Sequence, residues 1–236
     1  GSNGNGNGGH GAKVNGNFTL QKNSILRLII GQQGLSAPYE AGGGGGTFIF
    51  FNVTDTFPLL VAGGGGGGGK SSDGKNAEVT NNGSSGEGSN FGTGGNNGLG
   101  GSKGNHSTYA AAGGGGWLTD GEDGVDGRDP TYMDGSGGLS PRNGATGGNN
   151  RTQHNPLGGF GGGGTGGDDT ASAGTAGIDG TGGGGGGAGA NAHPVLSGKG
   201  GDGTVIARAN AGQGVTLTAS PICAGSVAFS ANPAGG

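Results

Sequence analysis

Unbroken runs of glycine constrain this chain more than any other feature of its sequence. Residues 42–46 are five consecutive glycines and residues 63–69 are seven, and further blocks follow at 113–116, 161–164 and 182–187. Glycine loses more backbone freedom on ordering than any other residue, so an isolated run stays unfolded. A fold that contains such runs must hold each of them through contacts with other segments.

Polyglycine in the polyproline-II conformation can supply such contacts. This helix has three residues per turn, rises about 3.1 Å per residue and makes no internal hydrogen bonds. Without Cβ atoms, neighbouring helices approach closely enough to bond to each other, and Cα–H···O contacts add to this. Flexible linkers are the alternative, but linkers need no flanking apolar clusters. Here apolar residues do flank the runs and would cap the bundle: Phe48, Phe50, Leu59, Val61, Trp117 and Phe160.

The composition excludes several other classes of protein. Glycine makes up 72 of 236 residues, but there are only 8 prolines and no period of three, which excludes collagen. The net charge of −4, without a basic cluster, argues against nucleic-acid binding. No apolar stretch approaches the roughly 20 residues of a membrane span, so no membrane insertion is expected. The single Cys223 is either a free thiol or half of a bridge to a cysteine outside this sequence.

Short apolar runs between the glycine blocks predict β-strands. Residues 12–20 alternate apolar and polar positions, residues 21–24 resemble a turn, and residues 25–30 are apolar on nearly both faces. Together they predict a hairpin of a β-sandwich. Residues 47–51 and 59–62 predict a second hairpin, separated by a turn.

Several segments, in this order, carry a resemblance to known receptors. They are residues 10–22 (HGAKVNGNFTLQK), 26–34 (LRLIIGQQG), 41–50 (AGGGGGTFIF) and 58–66 (PLLVAGGGG), continued by 111–117, 158–164 and 201–206. The order resembles the glycine-rich region of the anaplastic lymphoma kinase and leukocyte tyrosine kinase ectodomains. This implies a mainly β fold with little or no α-helix. A polyglycine-II helical bundle would be inserted into a jelly-roll, tumour-necrosis-factor-like β-sandwich, closed by a return strand near residues 204–207. This sequence lacks the cysteines that form disulfide bonds in those receptors, so we do not expect it to share their cytokine binding.

The C-terminal segment carries a second resemblance. Residues 215–233 are similar to the opening of immunoglobulin-like repeats in large surface and secreted proteins of Bacteroidetes bacteria, with Cys223 at the first-strand turn and Val227 and Phe229 opening an alternating strand. We therefore expect a segment of a longer bacterial protein that is extracellular, at the cell surface or secreted.

Four units are expected along the chain. They are a β-sandwich part at 1–36, a glycine-rich polyglycine-II bundle with long polar loops at 37–200, the return strand at 201–211, and the start of an immunoglobulin-like domain or a linker at 212–236.

Few residues are candidates for chemistry. The acidic cluster alternates with glycine, which suits the wrapping of calcium by carboxylates, and a solvated acidic loop is the alternative. The candidate calcium ligands are Asp120, Glu122, Asp123, Asp126 and Asp129. No other cofactor is expected, and the histidines lack metal-ligand spacing. Residues 169–171 (DTA) resemble the short O-glycosylation motif of Bacteroidetes secreted proteins, which makes Thr170 a candidate for glycosylation.

No catalytic constellation is visible, so no enzyme activity is expected. Residues 69–71 (GKS) lack the spacing of a phosphate-binding loop. The predicted function is an adhesion or ligand-binding module. Its partner would be a cell-surface glycan or protein, or copies of the chain itself, with neighbouring domains of the same longer chain. A structural spacer or self-assembling filament subunit is the alternative, and an ice-binding protein is a more remote one.

The polar loops at 70–108 and 118–157 are the expected recognition surface. Candidate binding residues are Tyr109, Trp117, Tyr132 and Met133. Trp117 has a second interpretation, as a cap on the glycine bundle.

Overall fold

The computed structural model describes residues 8–34, 43–67, 74–80, 82–83, 85, 92–103, 109–110, 112–126, 136–149 and 217–218. These residues are mostly non-helical, in agreement with the prediction of little or no α-helix. Their regular elements are six short strands and one 3₁₀ turn: β1 (Leu26–Ile29), β2 (Thr47–Phe50), β3 (Leu60–Ala62), β4 (Tyr109–Ala110), β5 (Val125–Asp126), η1 (Pro141–Asn143) and β6 (Leu217–Thr218).

The larger sheet has the strand order β3-β2-β1-β6. β2 is antiparallel to both of its neighbours, with Ile49 opposite Leu28 of β1 and Leu60 of β3. These three strands confirm the strands predicted at 25–30, 47–51 and 59–62. β4 and β5 form a separate antiparallel pair.

The fourth strand of this sheet comes from the C-terminal region. β6 pairs with β1 in parallel, with Leu217 opposite Leu26. It belongs to the segment 212–236, for which the sequence predicts the start of an immunoglobulin-like domain or a linker. The predicted return strand near residues 204–207 lies outside the described residues.

The predicted strand over residues 12–20 is wrong. Residues 8–20 form no strand, and Phe18 is 44% exposed. The N–H of Ala12 donates instead to the carbonyl of Gly63 at 2.9 Å, so this part of the chain follows a glycine run rather than β1. The rest of the predicted hairpin is confirmed, the second strand by β1 and the turn by a hydrogen bond from the Ser24 N–H to the Gln21 carbonyl at 3.1 Å.

A first glycine group joins the segments 9–12, 63–66 and 75–77 in a closed cycle. The N–H of Gly9 donates to the carbonyl of Gly66 at 2.6 Å, and the N–H of Gly66 donates to the carbonyl of Lys75 at 2.6 Å. The N–H of Ala77 donates to the carbonyl of His10 at 2.8 Å, which closes the cycle. Each segment therefore donates to one neighbour and accepts from the other.

A second glycine group repeats this pattern with the segments 99–103, 112–116 and 119–123. The N–H of Gly101 donates to the carbonyl of Gly114 at 2.8 Å, and the N–H of Gly113 donates to the carbonyl of Glu122 at 2.8 Å. The N–H of Glu122 donates to the carbonyl of Gly101 at 3.0 Å, which closes the cycle.

A fourth segment, 136–139, extends the second glycine group. The N–H of Gly121 donates to the carbonyl of Gly138 at 2.9 Å, and the N–H of Gly138 donates to the carbonyl of Gly113 at 3.0 Å. The bond from Gly113 to Glu122 belongs to both cycles. The segment 112–116 thus bonds to three other segments at once.

The contacts in this group leave no space for a side chain. A Cβ atom on Gly113 would lie 2.0 Å from the carbonyl oxygen of Gly101, and one on Gly121 would lie 2.1 Å from that of Gly113. Both distances are well inside van der Waals contact. Glycine is therefore required at these positions because backbone approaches backbone.

The apolar core is small and joins the sheet to the second glycine group. Phe48 and Phe50 of β2 pack against Trp117, with ring centroids 5.8 and 5.1 Å from that of the indole. Trp117 follows the glycines of 113–116 directly and is only 3% exposed. Tilted aromatic pairs of this kind combine area burial with favourable ring geometry.

The close approach at Gly113 predicts a large effect of a single methyl group. Gly113→Ala should lower the free energy of unfolding by at least about 2 kcal/mol, because the segments must separate and lose hydrogen bonds. Urea unfolding followed by Trp117 fluorescence measures this.

Gly63→Ala is the matched control, since among the described residues its Cβ would meet only the Cβ of Ala77, at 3.6 Å. We expect its unfolding free energy to stay within about 1 kcal/mol of wild type, helped by the lower entropy of the unfolded chain. Equal losses in both variants would contradict the steric explanation.

Candidate functional site

The loop between β2 and β3, residues 51–58, is held in shape by its own polar groups. The N–H of Asn52 donates to Oδ2 of Asp55 at 2.8 Å, and the N–H of Asp55 donates to the carbonyl of Asn52 at 3.1 Å. The N–H of Thr54 donates to Oδ1 of Asn52 at 3.2 Å. Asn and Asp form such local side-chain-to-backbone bonds readily, and the bonds restrict the loop to one turn. We call residues 51–58 the β2–β3 loop.

Three distant side chains fix the β2–β3 loop to the rest of the molecule. The carbonyl of Asp55 accepts hydrogen bonds from the indole N–H of Trp117 at 3.0 Å and from Nη2 of Arg142 at 2.9 Å. Nη1 of Arg27, on β1, donates to the carbonyl of Phe51. The loop is therefore bonded to the sheet, to the core and to η1.

Asp120 holds η1, and with it Arg142, in position. Its Oδ1 accepts the N–H of Ser140 at 2.7 Å and its Oδ2 accepts Nδ2 of Asn143 at 2.8 Å, so the carboxylate spans the 3₁₀ turn. Gly144 ends the turn with a left-handed φ of 105°, a conformation that glycine adopts without strain. The orientation of Arg142 thus depends on a carboxylate in the second glycine group.

The surroundings of Asp120 favour its charged form. Burial raises the pKa of this carboxyl, but the hydrogen bonds from the Ser140 backbone and the Asn143 amide outweigh it, so the pKa lies below its usual value of 3.8. The fully buried Ser140 hydroxyl also lowers the pKa by its proximity, although its geometry falls short of a hydrogen bond.

The β2–β3 loop presents two aromatic rings to solvent. Phe57 is 72% exposed and Phe51 is 37% exposed, although both belong to a loop whose backbone is fixed. Exposed amide and hydroxyl side chains lie between them in sequence, on Asn52, Thr54 and Thr56. The loop thus offers apolar faces and polar groups together.

Arg27 and Arg142 border the β2–β3 loop, and most of their donors remain available. Each is exposed, and a guanidinium carries five N–H donors. Within the described residues each arginine makes one hydrogen bond, to a loop carbonyl, and neither is paired with a carboxylate. Both guanidinium groups can therefore bind an anionic group.

Three of the predicted calcium ligands bind backbone N–H groups of separate segments. Asp120 binds η1, Oε2 of Glu122 accepts the N–H of Lys103 at 3.2 Å, and Oδ1 of Asp123 accepts the N–H of Gly137 at 2.8 Å. In the part of the chain that the structure describes, no three His, Cys, Asp or Glu side chains lie close enough to hold a metal ion. Asp126 is described only as backbone in β5, and Asp129 lies outside the described residues.

The predicted binding-surface residues have different outcomes. Trp117 is buried in the core with Phe48 and Phe50, so it does not lie on an exposed surface, and its interpretation as a cap on the glycine bundle stays a prediction. The backbone of Tyr109 lies in β4. Tyr132, Met133 and the glycosylation candidate Thr170 lie outside the described residues.

Sequence reasoning missed the residues that build the β2–β3 loop site. One signal was present, because Asn52 and Asp55 stand three apart in a segment between two predicted strands, which is a turn pattern. Nothing comparable marks Arg27 or Arg142, whose roles depend on contacts across 24 and 87 residues of sequence.

Comparison with known protein families, curated proteins and solved structures gives no match. The resemblances noted from the sequence therefore stay predictions. Among the described residues there is also no helix with the length and apolar character needed to cross a membrane.

Trp117 should contribute to stability through both its ring and its N–H. Trp117→Ala should lower the free energy of unfolding by about 3–5 kcal/mol through lost packing. Trp117→Phe keeps an aromatic ring and loses the bond to the Asp55 carbonyl, so a smaller loss of about 1–2 kcal/mol is expected. Calorimetric unfolding measures both, with Val79→Ala, at a 75% exposed position, as the neutral control. Equal losses for the Phe and Ala variants would contradict a packing role.

The lowered pKa of Asp120 predicts a pH-dependent contribution to stability. The contribution is full above the unfolded value of 3.8 and is lost as the pH falls through the lower pKa of the folded state. Asp120→Asn should therefore be less stable than wild type at pH 7, and the difference should shrink below about pH 4. Denaturant unfolding from pH 7 to pH 2.5 measures it, and a difference that stays constant over this range would refute the assignment.

Proposed function

We propose that the glycine segments form a polyglycine-II bundle, and that the chain is a non-enzymatic adhesion or ligand-binding module of a larger extracellular bacterial protein. The observation that carries the proposal is the pair of closed hydrogen-bond cycles that share the bond from Gly113 to Glu122. The cycles support a rigid scaffold made from backbone rather than from side-chain packing.

The cycles suit polyglycine II because of its threefold symmetry. A β-strand directs its N–H and C=O groups to two opposite sides within one sheet, so it bonds to at most two neighbours. A helix with three residues per turn directs them in three directions. The bonds from the segment 112–116 to three other segments fit the second geometry, as does the lack of space for a Cβ at Gly113 and Gly121.

The use of the polar side chains supports a binding role over a catalytic one. Asp120, Glu122 and Asp123 each accept a backbone N–H from another segment, so these carboxylates stabilise the scaffold. The β2–β3 loop, whose backbone is bonded to Trp117 and Arg142, carries exposed aromatic and polar side chains that, within the described residues, make no such bond to the scaffold. A rigid scaffold with a fixed, exposed loop is a common arrangement in recognition proteins. The extracellular location rests on the resemblance of residues 215–233 to bacterial surface repeats.

Binding of the 236-residue chain to an array of glycans and to intact cells tests the proposal. We expect saturable binding that Trp117→Ala abolishes, since that variant releases the β2–β3 loop from the core, and that Val79→Ala leaves unchanged. Absence of binding on both supports, together with filaments of the purified chain in electron micrographs, would favour the structural spacer instead.

A further inference from the structure

We propose that the β2–β3 loop, with Arg27 and Arg142, is a binding site for acidic polysaccharides whose sugar rings carry carboxylates. The inference rests on the proposed function and assigns its ligand class and its site. It follows from the fixed loop backbone, the exposed rings and the unpaired guanidinium donors described above.

The rigidity of the loop favours binding because little conformational entropy is lost. The loop is closed by the local bonds of Asn52 and Asp55, and its Asp55 carbonyl is bonded to Trp117 and Arg142. A preorganised loop avoids the ordering cost that a flexible one would incur on binding. Phe57, which is 72% exposed, thus belongs to a loop whose backbone is bonded to the scaffold.

The side chains of the loop match the surface of a pyranose ring. A sugar ring has an apolar C–H face, which stacks on an aromatic ring, and hydroxyl groups at its edge. Phe51 and Phe57 supply aromatic faces, and the exposed Thr54 and Thr56 supply hydroxyl groups. The hot spots of protein–protein interfaces differ from this loop, because their aromatic anchors are surrounded by contacts that exclude water. These exposed polar neighbours favour a glycan over a protein partner.

The two arginines select for an acidic sugar. A guanidinium binds a carboxylate through two parallel N–H···O bonds, and these charge-assisted bonds are stronger than neutral ones. Within the part of the chain that the structure describes, Arg27 and Arg142 each keep donors unpaired beside the loop, although the net charge of the chain is −4. The Asp55 carboxylate offsets part of the positive charge of the two arginines. However, this carboxylate is partly buried, and its Oδ2 accepts the N–H of Asn52 inside the loop.

Polygalacturonate and its fully methyl-esterified form are a matched pair of probes, because esterification removes the carboxylate charge and keeps the sugar ring. We expect the full chain to bind polygalacturonate at least about tenfold more tightly than the ester in biolayer interferometry. The affinity should fall between 50 and 500 mM salt, because salt screens exposed charges.

Variants locate the site on the protein. Arg142→Gln, Arg27→Gln and Phe57→Ala should each weaken binding to polygalacturonate at least about tenfold. Lys13→Gln, which removes an exposed cation directly after the segment 9–12 of the first glycine group, should change binding less than twofold. Phe57 lies outside the core, so Phe57→Ala keeps the test decisive if an arginine variant fails to fold.

The outcomes separate this inference from the proposed function. No binding to polygalacturonate, equal binding to the ester, or an equal loss in Lys13→Gln overturns the acidic-polysaccharide site. Binding to a neutral glycan or to a protein surface in that case overturns the ligand class assigned here and leaves the adhesion module in place. Absence of binding to every glycan and cell tested removes both.

Discussion

The fold depends on a requirement that every buried backbone N–H and C=O group must meet, namely a hydrogen-bond partner. Most of the described chain lies in neither helices nor strands, so the usual ladders are missing there. The glycine groups meet the requirement by bonding in cycles from segment to segment. The cycles close only because no Cβ separates the backbones, as the 2.0 Å distance from a Cβ on Gly113 to the Gly101 oxygen illustrates. The glycine content is therefore a condition of the fold and not a sign of flexibility.

Among the described residues, several polar side chains act by bonding to the backbone of distant segments. Asp120 binds the Ser140 N–H, Arg142 binds the Asp55 carbonyl, and the Trp117 indole joins it there. These bonds connect the second glycine group to η1, and η1 to the β2–β3 loop. The small aromatic core supplies the remaining connection, between β2 and Trp117. A chain with few apolar residues can thus hold a fixed loop, because its polar side chains serve as cross-links between backbone segments.

The predicted strands agree with the structure where apolar residues form a continuous run, as in β1 and β2. Such a run can bury its side chains in few ways other than as a strand in a sheet. It failed over residues 12–20, where an alternating pattern was outweighed by backbone bonds from Gly9 and Ala12 to a glycine run. Pattern analysis considers side-chain faces and does not register a partner that has no side chain. The carboxylates show the same limit: the acidic residues were recognised as a cluster, but the N–H groups that they bind come from Lys103, Gly137 and Ser140, at distances of up to 20 residues along the chain.

The closed cycles also determine when during synthesis the molecule can become stable. The first cycle needs residues 9, 66 and 77, and the β2–β3 loop is not fully anchored until residue 142 has been made. Folding governed by such distant contacts is slow, since long loops must close before the contacts stabilise anything. The glycine runs that are synthesised first therefore stay unfolded until the segments that they bond to have been made. With few apolar side chains they offer little for other chains to adhere to during that time, so the same composition that delays folding also limits aggregation.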